Sequence, residues 1–188
     1  LHTLEQLVLA SDFEGIDVVV AATAMILFTL RARFADLANC TSIAAQRGFL
    51  YMRVSQTKTS GRDKGRLPLF LSGLLTCISG EQWFQRYADL RTSWDMPLAD
   101  WTLFPAHTGA GWVNRAGRLA DFNMLLRDLL QRLGCATWAT TTSHALKATA
   151  LTWASMAGVS AEERARLGYH RPSGSTSSVA SYDRDTLR

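Results

Sequence analysis

The residues best suited to chemistry in this chain lie in its last third, as two histidine steps followed by a tyrosine. His144-x-x-Lys147 opens an apolar stretch with helical spacing, a Leu-Gly-Tyr-His step ends at His170, and Tyr182 comes later. A tyrosine hydroxyl is a weak nucleophile, with an ordinary pKa of about 10. Its attack on a phosphate needs cations around the phosphate oxygens and an acid for the leaving oxygen. Phosphoryl transfer to a tyrosine is thus one chemistry that residues of these types could serve, and it needs neither a metal ion nor a cofactor.

Two earlier segments offer further cations for such a site. Arg33 follows an apolar run and precedes Asp36, which would support the turn, and the arginine fork suits two oxygens of one phosphate. Arg31 is the alternative in a neighbouring register. Lys58 lies in a polar stretch with other cations, where a lowered pKa would suit a general acid, and Lys64 is its alternative. Taken alone, each of these positions also fits a solvated surface charge.

The elements that must position these residues are mostly helices. Apolar periodicity and end signals predict helices at 15–30, 79–91, 121–133, 142–157 and 160–168, and a short helical stretch that begins at Phe34. Residues 48–56 and 66–71 are predicted to form a β-hairpin with a basic tip, and 95–111 a loop. Tyr51 and Tyr87 are predicted to be core residues. The sequence therefore predicts a mainly α (α+β) fold with one small antiparallel β-sheet or hairpin.

Composition bounds the class of protein. The chain has 188 residues, of which 47% are hydrophobic and 19% charged, so a single domain over 1–188 can bury a sizeable core. The net charge of +4 suits a polyanionic partner. The most apolar run, 18–30, is too short to span a bilayer. Cys40, Cys77 and Cys135 are widely spaced and odd in number, so we expect reduced core thiols in an intracellular protein.

The order of these motifs resembles the catalytic part of the tyrosine recombinases, the phage-integrase-like enzymes that break and rejoin DNA. The similarity covers about residues 15–185 and implies a helical catalytic domain with a small antiparallel sheet. The chain departs from the family pattern at Lys147, where arginine is usual, at Tyr169, which is inserted before the histidine, and in a long gap before Tyr182. These departures indicate a divergent branch, most similar to recombinases of eukaryotic retroelements and Crypton-like elements.

The resemblance implies a role for each matching residue. Tyr182 would be the nucleophile, and Lys58 would protonate the leaving 5′ oxygen. The residues that would hold the phosphate are Arg33, His144, Lys147 and His170. Further DNA contacts are expected from basic residues at Arg31, Arg62, Lys64, Arg66, Arg115 and Arg118.

The implied function is site-specific recombination or integration of double-stranded DNA through a 3′-phosphotyrosyl intermediate. The resemblance also implies self-association on DNA as a dimer or tetramer. It implies no association with a membrane and a location inside the cell with the DNA, which is the nucleus if the source is eukaryotic. We expect the family's separate N-terminal DNA-clamping domain to be absent and the tail after Tyr182 to be short. Two alternatives stay open. One is a type IB topoisomerase-like enzyme that relaxes supercoils, and the other is a non-catalytic DNA-binding remnant, which Lys147 favours.

Overall fold

Helices arranged around one buried helix make up most of the fold, and a small antiparallel sheet packs beside that helix. A computed structural model describes residues 1–10, 15–55, 68–76 and 78–168. In chain order the elements are α1 (His2–Leu9), α2 (Gly15–Thr29), α3 (Phe34–Ala38), β1 (Cys40–Gln46), β2 (Phe49–Val54), β3 (Leu69–Leu74), α4 (Trp83–Ser93), β4 (Pro105–Thr108), β5 (Gly111–Ala116), α5 (Leu119–Arg132), α6 (Ser143–Met156) and α7 (Ala161–Leu167). The predicted mainly α (α+β) fold with a small antiparallel sheet is confirmed.

Helix α2 forms the centre of the core because it is apolar on all sides. Residues 18–27 are all buried, and α1, α4, α5 and α6 pack around them. A helix without a polar face belongs in the interior of a protein. At the start of α2, both terminal nitrogens of Arg132 on α5 bind the Asp17 carboxylate at 2.7 Å. Within the described ranges, no helix combines the length and the apolarity that crossing a bilayer requires.

The larger sheet has the strand order β1-β2-β3, and both pairs are antiparallel. Strands β2 and β3 correspond to the predicted hairpin, whereas β1 is a third strand that the sequence analysis does not predict. Strand β3 crosses the end of α2 at Gly73. A Cβ at Gly73 would lie 2.1 Å from the carbonyl oxygen of Thr29, so this close approach of sheet and helix requires glycine.

Strand β2 alternates strictly between a buried and an exposed face. Leu50, Met52 and Val54 point into the core, and the residues between them face outward. The predicted core position of Tyr51 is therefore wrong, since this side chain is 42% exposed. The prediction for Tyr87 on α4 is confirmed, because that side chain is fully buried.

The predicted loop 95–111 is wrong at its end, where β4 pairs with β5 in a second hairpin. Pro105 and Gly111, which suggest a loop, stand at the first positions of these two strands. The irregular stretch before them is held by Arg91, which is fully buried. Its guanidinium donates to the carbonyls of Met96 at 2.9 Å and Thr102 at 3.1 Å, so buried backbone acceptors find a partner there.

Side-chain capping hydrogen bonds mark the starts of α6 and α7, whereas α4 and α5 begin without one. Helices α5, α6 and α7 agree with their predicted bounds to within two residues, whereas α4 begins later than predicted and α1 is not predicted. At α7, Ser160 Oγ accepts from the Glu163 backbone N–H at 3.2 Å, and Glu163 Oε2 accepts from the Ser160 backbone N–H at 3.1 Å. This reciprocal pair fixes where α7 begins.

The cysteines lie at the edge of the core. Cys40 and Cys135 are free thiols that pack against the core but are only half-buried, so the predicted core thiols lie at its edge and not in its interior. Cys77 lies outside the described residues. Burial raises the pKa of Cys40 to about 11.

Candidate functional site

Arg33 lies in the sharp turn between α2 and α3, and Asp36 holds that turn in place. Asp36 Oδ2 accepts a hydrogen bond from the Arg33 backbone N–H at 2.8 Å. An acidic side chain in the first turn of a helix satisfies a backbone N–H that has no partner within the helix. The Arg33 side chain is half-buried. Among the described residues, its guanidinium has no hydrogen-bond acceptor.

Asp36 is buried, and cations surround it. Its side chain is 5% exposed. Burial raises the pKa of Asp36, and the Arg33 backbone N–H, the Arg33 guanidinium and the Lys147 ammonium oppose that rise. The carboxylate therefore lies between a residue of the α2–α3 turn and a residue of α6, which are far apart in sequence.

Lys147 lies on the second turn of α6 and is only 3% exposed. Its Nζ donates a hydrogen bond to the carbonyl oxygen of Gly168 at 2.7 Å. Burial is the main cause that lowers the pKa of Lys147 to about 8; the guanidiniums of Arg33 and Arg31 contribute to this fall, and Asp36 opposes it. The predicted clamp residue is thus an interior cation that joins α6 to the end of α7.

Arg31 braces three elements against one another. Its Nε donates to the Leu167 carbonyl at 3.0 Å, and its two terminal nitrogens donate to the carbonyls of Thr29 at 3.2 Å and Ser72 at 2.6 Å. The backbone of Arg31 has φ of 50°, in the left-handed region that makes the turn after α2 sharp. Arg31 therefore links α2, β3 and α7, whereas the Arg33 guanidinium donates to none of the described residues.

These four residues form one group, which we call the cationic cluster: Arg31, Arg33, Asp36 and Lys147. It contains three cations and one carboxylate, and it closes on the carbonyls that end α7. Preorganised cations around a partly buried position are what a phosphate-binding site requires.

His144 lies at the start of α6, where Thr142 Oγ1 accepts from the Ala145 backbone N–H at 3.4 Å. His144 is exposed, whereas Lys147 is buried. The i, i+3 spacing makes the two side chains neighbours on the helix surface. The structure thus places Lys147 inside the cluster and His144 at the solvent-exposed start of the same helix.

Two of the predicted DNA contacts lie on the surface of the middle of the chain. Arg115 is exposed on β5. Arg118 precedes α5, and its guanidinium donates to both carboxylate oxygens of Asp121 at 2.9 and 3.0 Å. That pairing lowers the pKa of Asp121. Arg118 is therefore already engaged with a carboxylate, unlike Arg33.

Six of the predicted site residues lie outside the described residues, and their roles stay predictions. They are Lys58, Arg62, Lys64, Arg66, His170 and Tyr182.

Sequence reasoning missed one member of the site, which is the Gly168 carbonyl oxygen that binds Lys147. A backbone acceptor carries no side-chain signal, and only the folded arrangement of α6 and α7 reveals it. Among the described residues, no group of three or more His, Cys, Asp or Glu side chains is arranged to hold a metal ion.

Comparisons with known proteins identify the fold. No protein-family model matches the chain, and no curated protein matches it. Among solved structures, it is similar to the XerH site-specific recombinase bound to difH substrate in a pre-cleavage complex, with a TM-score of 0.62 and 9% identity. That match covers 100% of this chain and 48% of the XerH chain. A complex of Flpe with a Holliday junction matches with a TM-score of 0.56 and 17% identity, over 100% of this chain and 46% of the Flpe chain.

The chain thus spans about half the length of the recombinases that it matches. At these low identities the likeness establishes the fold, and it agrees with the order of motifs in the sequence. The chain has a tyrosine-recombinase-like fold.

Proposed function

We propose that this chain cleaves and rejoins DNA strands through a covalent bond to Tyr182. The Tyr182 hydroxyl gives its proton to the His144 imidazole as it attacks a backbone phosphorus, a tyrosyl-oxygen-to-phosphorus bond forms, and the bond from phosphorus to the 5′ oxygen breaks. The leaving 5′ oxygen takes a proton from Lys58. A 5′ hydroxyl of a partner strand then reverses the step, so the bond energy is kept in the 3′-phosphotyrosyl link.

The observation that carries this proposal is the cationic cluster, in which Arg33 and Asp36 interact with Lys147, and Lys147 donates to the Gly168 carbonyl. The position of Gly168 in the sequence supports it, since His170 follows two residues later. A phosphate held by the cationic cluster would therefore lie near the segment that begins the Leu-Gly-Tyr-His step. In this arrangement Arg33 binds the phosphate with two nitrogens, and His170 adds a hydrogen bond.

Electrostatics supports a phosphate as the ligand. Three cations and one carboxylate leave the cationic cluster with a net positive charge. With a pKa of about 8, Lys147 is mostly protonated at neutral pH. A phosphorane-like transition state gains charge on its equatorial oxygens, and fixed cations in a partly buried site stabilise that charge more than water does.

A non-catalytic DNA-binding remnant is the second candidate, and the position of Lys147 favours it. The ammonium is almost fully buried and donates to a backbone carbonyl at 2.7 Å, where the family's usual arginine would present a two-pronged fork. In this candidate the cluster supports the fold, and DNA binds through the surface cations alone.

The remaining parts of the proposal concern the assembly. The neighbours are recombinases in complexes with DNA substrates or junctions, and their chains are about twice as long as this one. We propose that this domain acts on double-stranded DNA beside a separate DNA-clamping domain. We also propose that copies associate on the DNA, inside the cell and at the genome. A topoisomerase-like enzyme would instead relax supercoils as a monomer without preference for a site.

The experiment is covalent trapping on suicide duplexes that are nicked near the cleavage point and drawn from a pool of candidate element ends. The wild-type chain is compared with Tyr182→Phe and with Tyr169→Phe, which removes a hydroxyl from the tyrosine that precedes His170. We expect an adduct that survives denaturation in the wild type and in Tyr169→Phe, and none in Tyr182→Phe. Salt-sensitive DNA binding without any adduct would favour the remnant, and adduct formation by Tyr182→Phe would refute the proposal.

A further inference from the structure

The three-stranded sheet has an exposed face that carries large aromatic side chains. We call it the outer sheet face. Its β2 residues are Phe49, Tyr51 and Arg53, and on β3 they are opposite Leu74, Ser72 and Phe70, respectively. The strand period of two places these side chains together, opposite the face that packs on the core.

The exposure of the rings is unusually high for side chains of this size. Phe49 is 41% exposed, Tyr51 42% and Phe70 67%. The rings of Phe49 and Tyr51 have centroids 6.2 Å apart, and the Arg53 guanidinium lies 5.7 Å from the centroid of Phe70. Contiguous exposed apolar surface of this kind marks an interaction site.

The charge around the rings identifies the class of partner. Strands β1, β2 and β3 contain no aspartate or glutamate. Arg53 stands among the rings, and Arg47 is exposed in the turn between β1 and β2. Arg31 of the cationic cluster donates to the Ser72 carbonyl, so the sheet is fastened to the cluster at β3. Glu163 of α7 lines a pocket with Ser72 at the edge of this face, beside Arg31 and Arg166. Aromatic rings and cations on strands that carry no acids complement a polyanion that has flat apolar groups.

We propose that the outer sheet face binds unpaired bases of a nucleic-acid strand. Bases stack on Phe49, Tyr51 and Phe70, while Arg53 contacts the phosphate backbone. A duplex presents base edges and hides base faces, so it cannot stack on these rings. Single strands stack on exposed aromatics with little sequence preference, because every base has a π-face. This inference goes beyond the proposed function and does not depend on Tyr182.

The test measures binding of the full chain to a fluorescein-labelled oligothymidine of about 20 nucleotides, longer than the roughly 4–16 nucleotides that one small binding fold covers. Two further probes are the same strand in a duplex and an abasic strand with the same number of phosphates. All titrations use one salt concentration, because phosphate contacts depend strongly on salt. The variants are Phe70→Ala and Tyr51→Ala, and Leu74→Ala is the control that removes an exposed aliphatic side chain.

We expect each aromatic variant to weaken single-strand binding by about 5- to 100-fold, which corresponds to one lost stacking contact. Binding of the duplex and of the abasic strand should change by less than about twofold, and Leu74→Ala should bind all three probes like the wild type. Phe70→Trp keeps a ring and should restore binding, which separates stacking from a general loss of folding.

Three results would overturn the proposal. The aromatic variants could bind the single strand as well as the wild type does, or they could lose the abasic strand equally. Alternatively, sedimentation could reveal a wild-type dimer that the aromatic variants abolish while strand binding is unchanged, in which case the face is a protein interface. Failure of covalent trapping would leave all of these readouts intact, so the two proposals fail separately.

Discussion

The buried ammonium of Lys147 should make the stability of this protein depend on pH in a defined way. Its pKa falls from 10.5 in the unfolded chain to about 8 in the folded one, because burial and the neighbouring guanidiniums disfavour the charged form. Between these two values the unfolded state binds more protons than the folded state. The free energy of unfolding therefore rises with pH from about 8 to about 10.5, and the penalty for burying the charge is complete below that window.

The magnitude follows from the size of that fall. A difference of one pKa corresponds to about 1.4 kcal/mol, so the full effect of Lys147 amounts to about 3 kcal/mol. Because the side chain is 3% exposed, solvent screening reduces this figure little. It is a large fraction of the ~5–15 kcal/mol by which domains of this size are stable.

The assay is urea unfolding of the wild type, Lys147→Met and Lys147→Arg at several values from about pH 7 to about pH 10.5. The stability difference between wild type and Lys147→Met should shift in favour of the wild type by about 3 kcal/mol across the window. The stability difference between Lys147→Arg and Lys147→Met should not change with pH, because a guanidinium remains charged throughout. Cys40 and Tyr87 are present in all three proteins, so their titration at high pH cancels in the stability differences. A stability difference between wild type and Lys147→Met that stays constant with pH within about 0.5 kcal/mol would refute the reasoning.

Two further predictions concern the turn after α2 and the sheet that packs on it. Arg33→Ala should lower the rate of covalent trapping by about 10²–10³-fold, as expected for a lost charged donor. Arg118→Ala is the control and should lower this rate only severalfold in the same time course. Equal losses in the two variants would contradict a special role for Arg33. Gly73→Ala should destabilise the fold by about 1–3 kcal/mol in urea unfolding, because its Cβ would meet the Thr29 carbonyl. Gly109→Ala is the control and should be nearly neutral, since a Cβ there meets nothing within 4 Å. Equal stability of the two variants would contradict the close approach of β3 to α2.

Of the described helices, all except α1 were predictable from an apolar period or an apolar run, and some also carry an end signal. Helix α7 begins at the Ser160–Glu163 capping pair and ends at Gly168, and α2 is apolar around its whole circumference. Three strands lacked such signals. Strand β1 consists mostly of small side chains that are exposed or half-buried, so it has no clear alternation. Strands β4 and β5 begin with Pro105 and Gly111, which are loop signals in the absence of a partner strand.

The types and order of the residues predict only part of the candidate site. The spacing of Arg33 and Asp36 and the helical position of Lys147 follow from sequence, and the structure brings these three together. The burial of Lys147, its bond to Gly168 and the three carbonyls bound by Arg31 depend on how α6, α7 and β3 pack. Tertiary packing determines which cation braces the fold and which keeps donors for an anion.

The most direct test of the central claim is to identify the amino acid that becomes linked to DNA. The trapped adduct is digested with nuclease and trypsin, and the remaining phosphotyrosyl peptide is sequenced by tandem mass spectrometry. Trypsin does not cut efficiently before proline, so one peptide from Leu167 to Arg184 retains both Tyr169 and Tyr182. Fragment masses that place the nucleotide remnant on Tyr182 would agree with the account. A remnant on Tyr169 or on any other residue would contradict it.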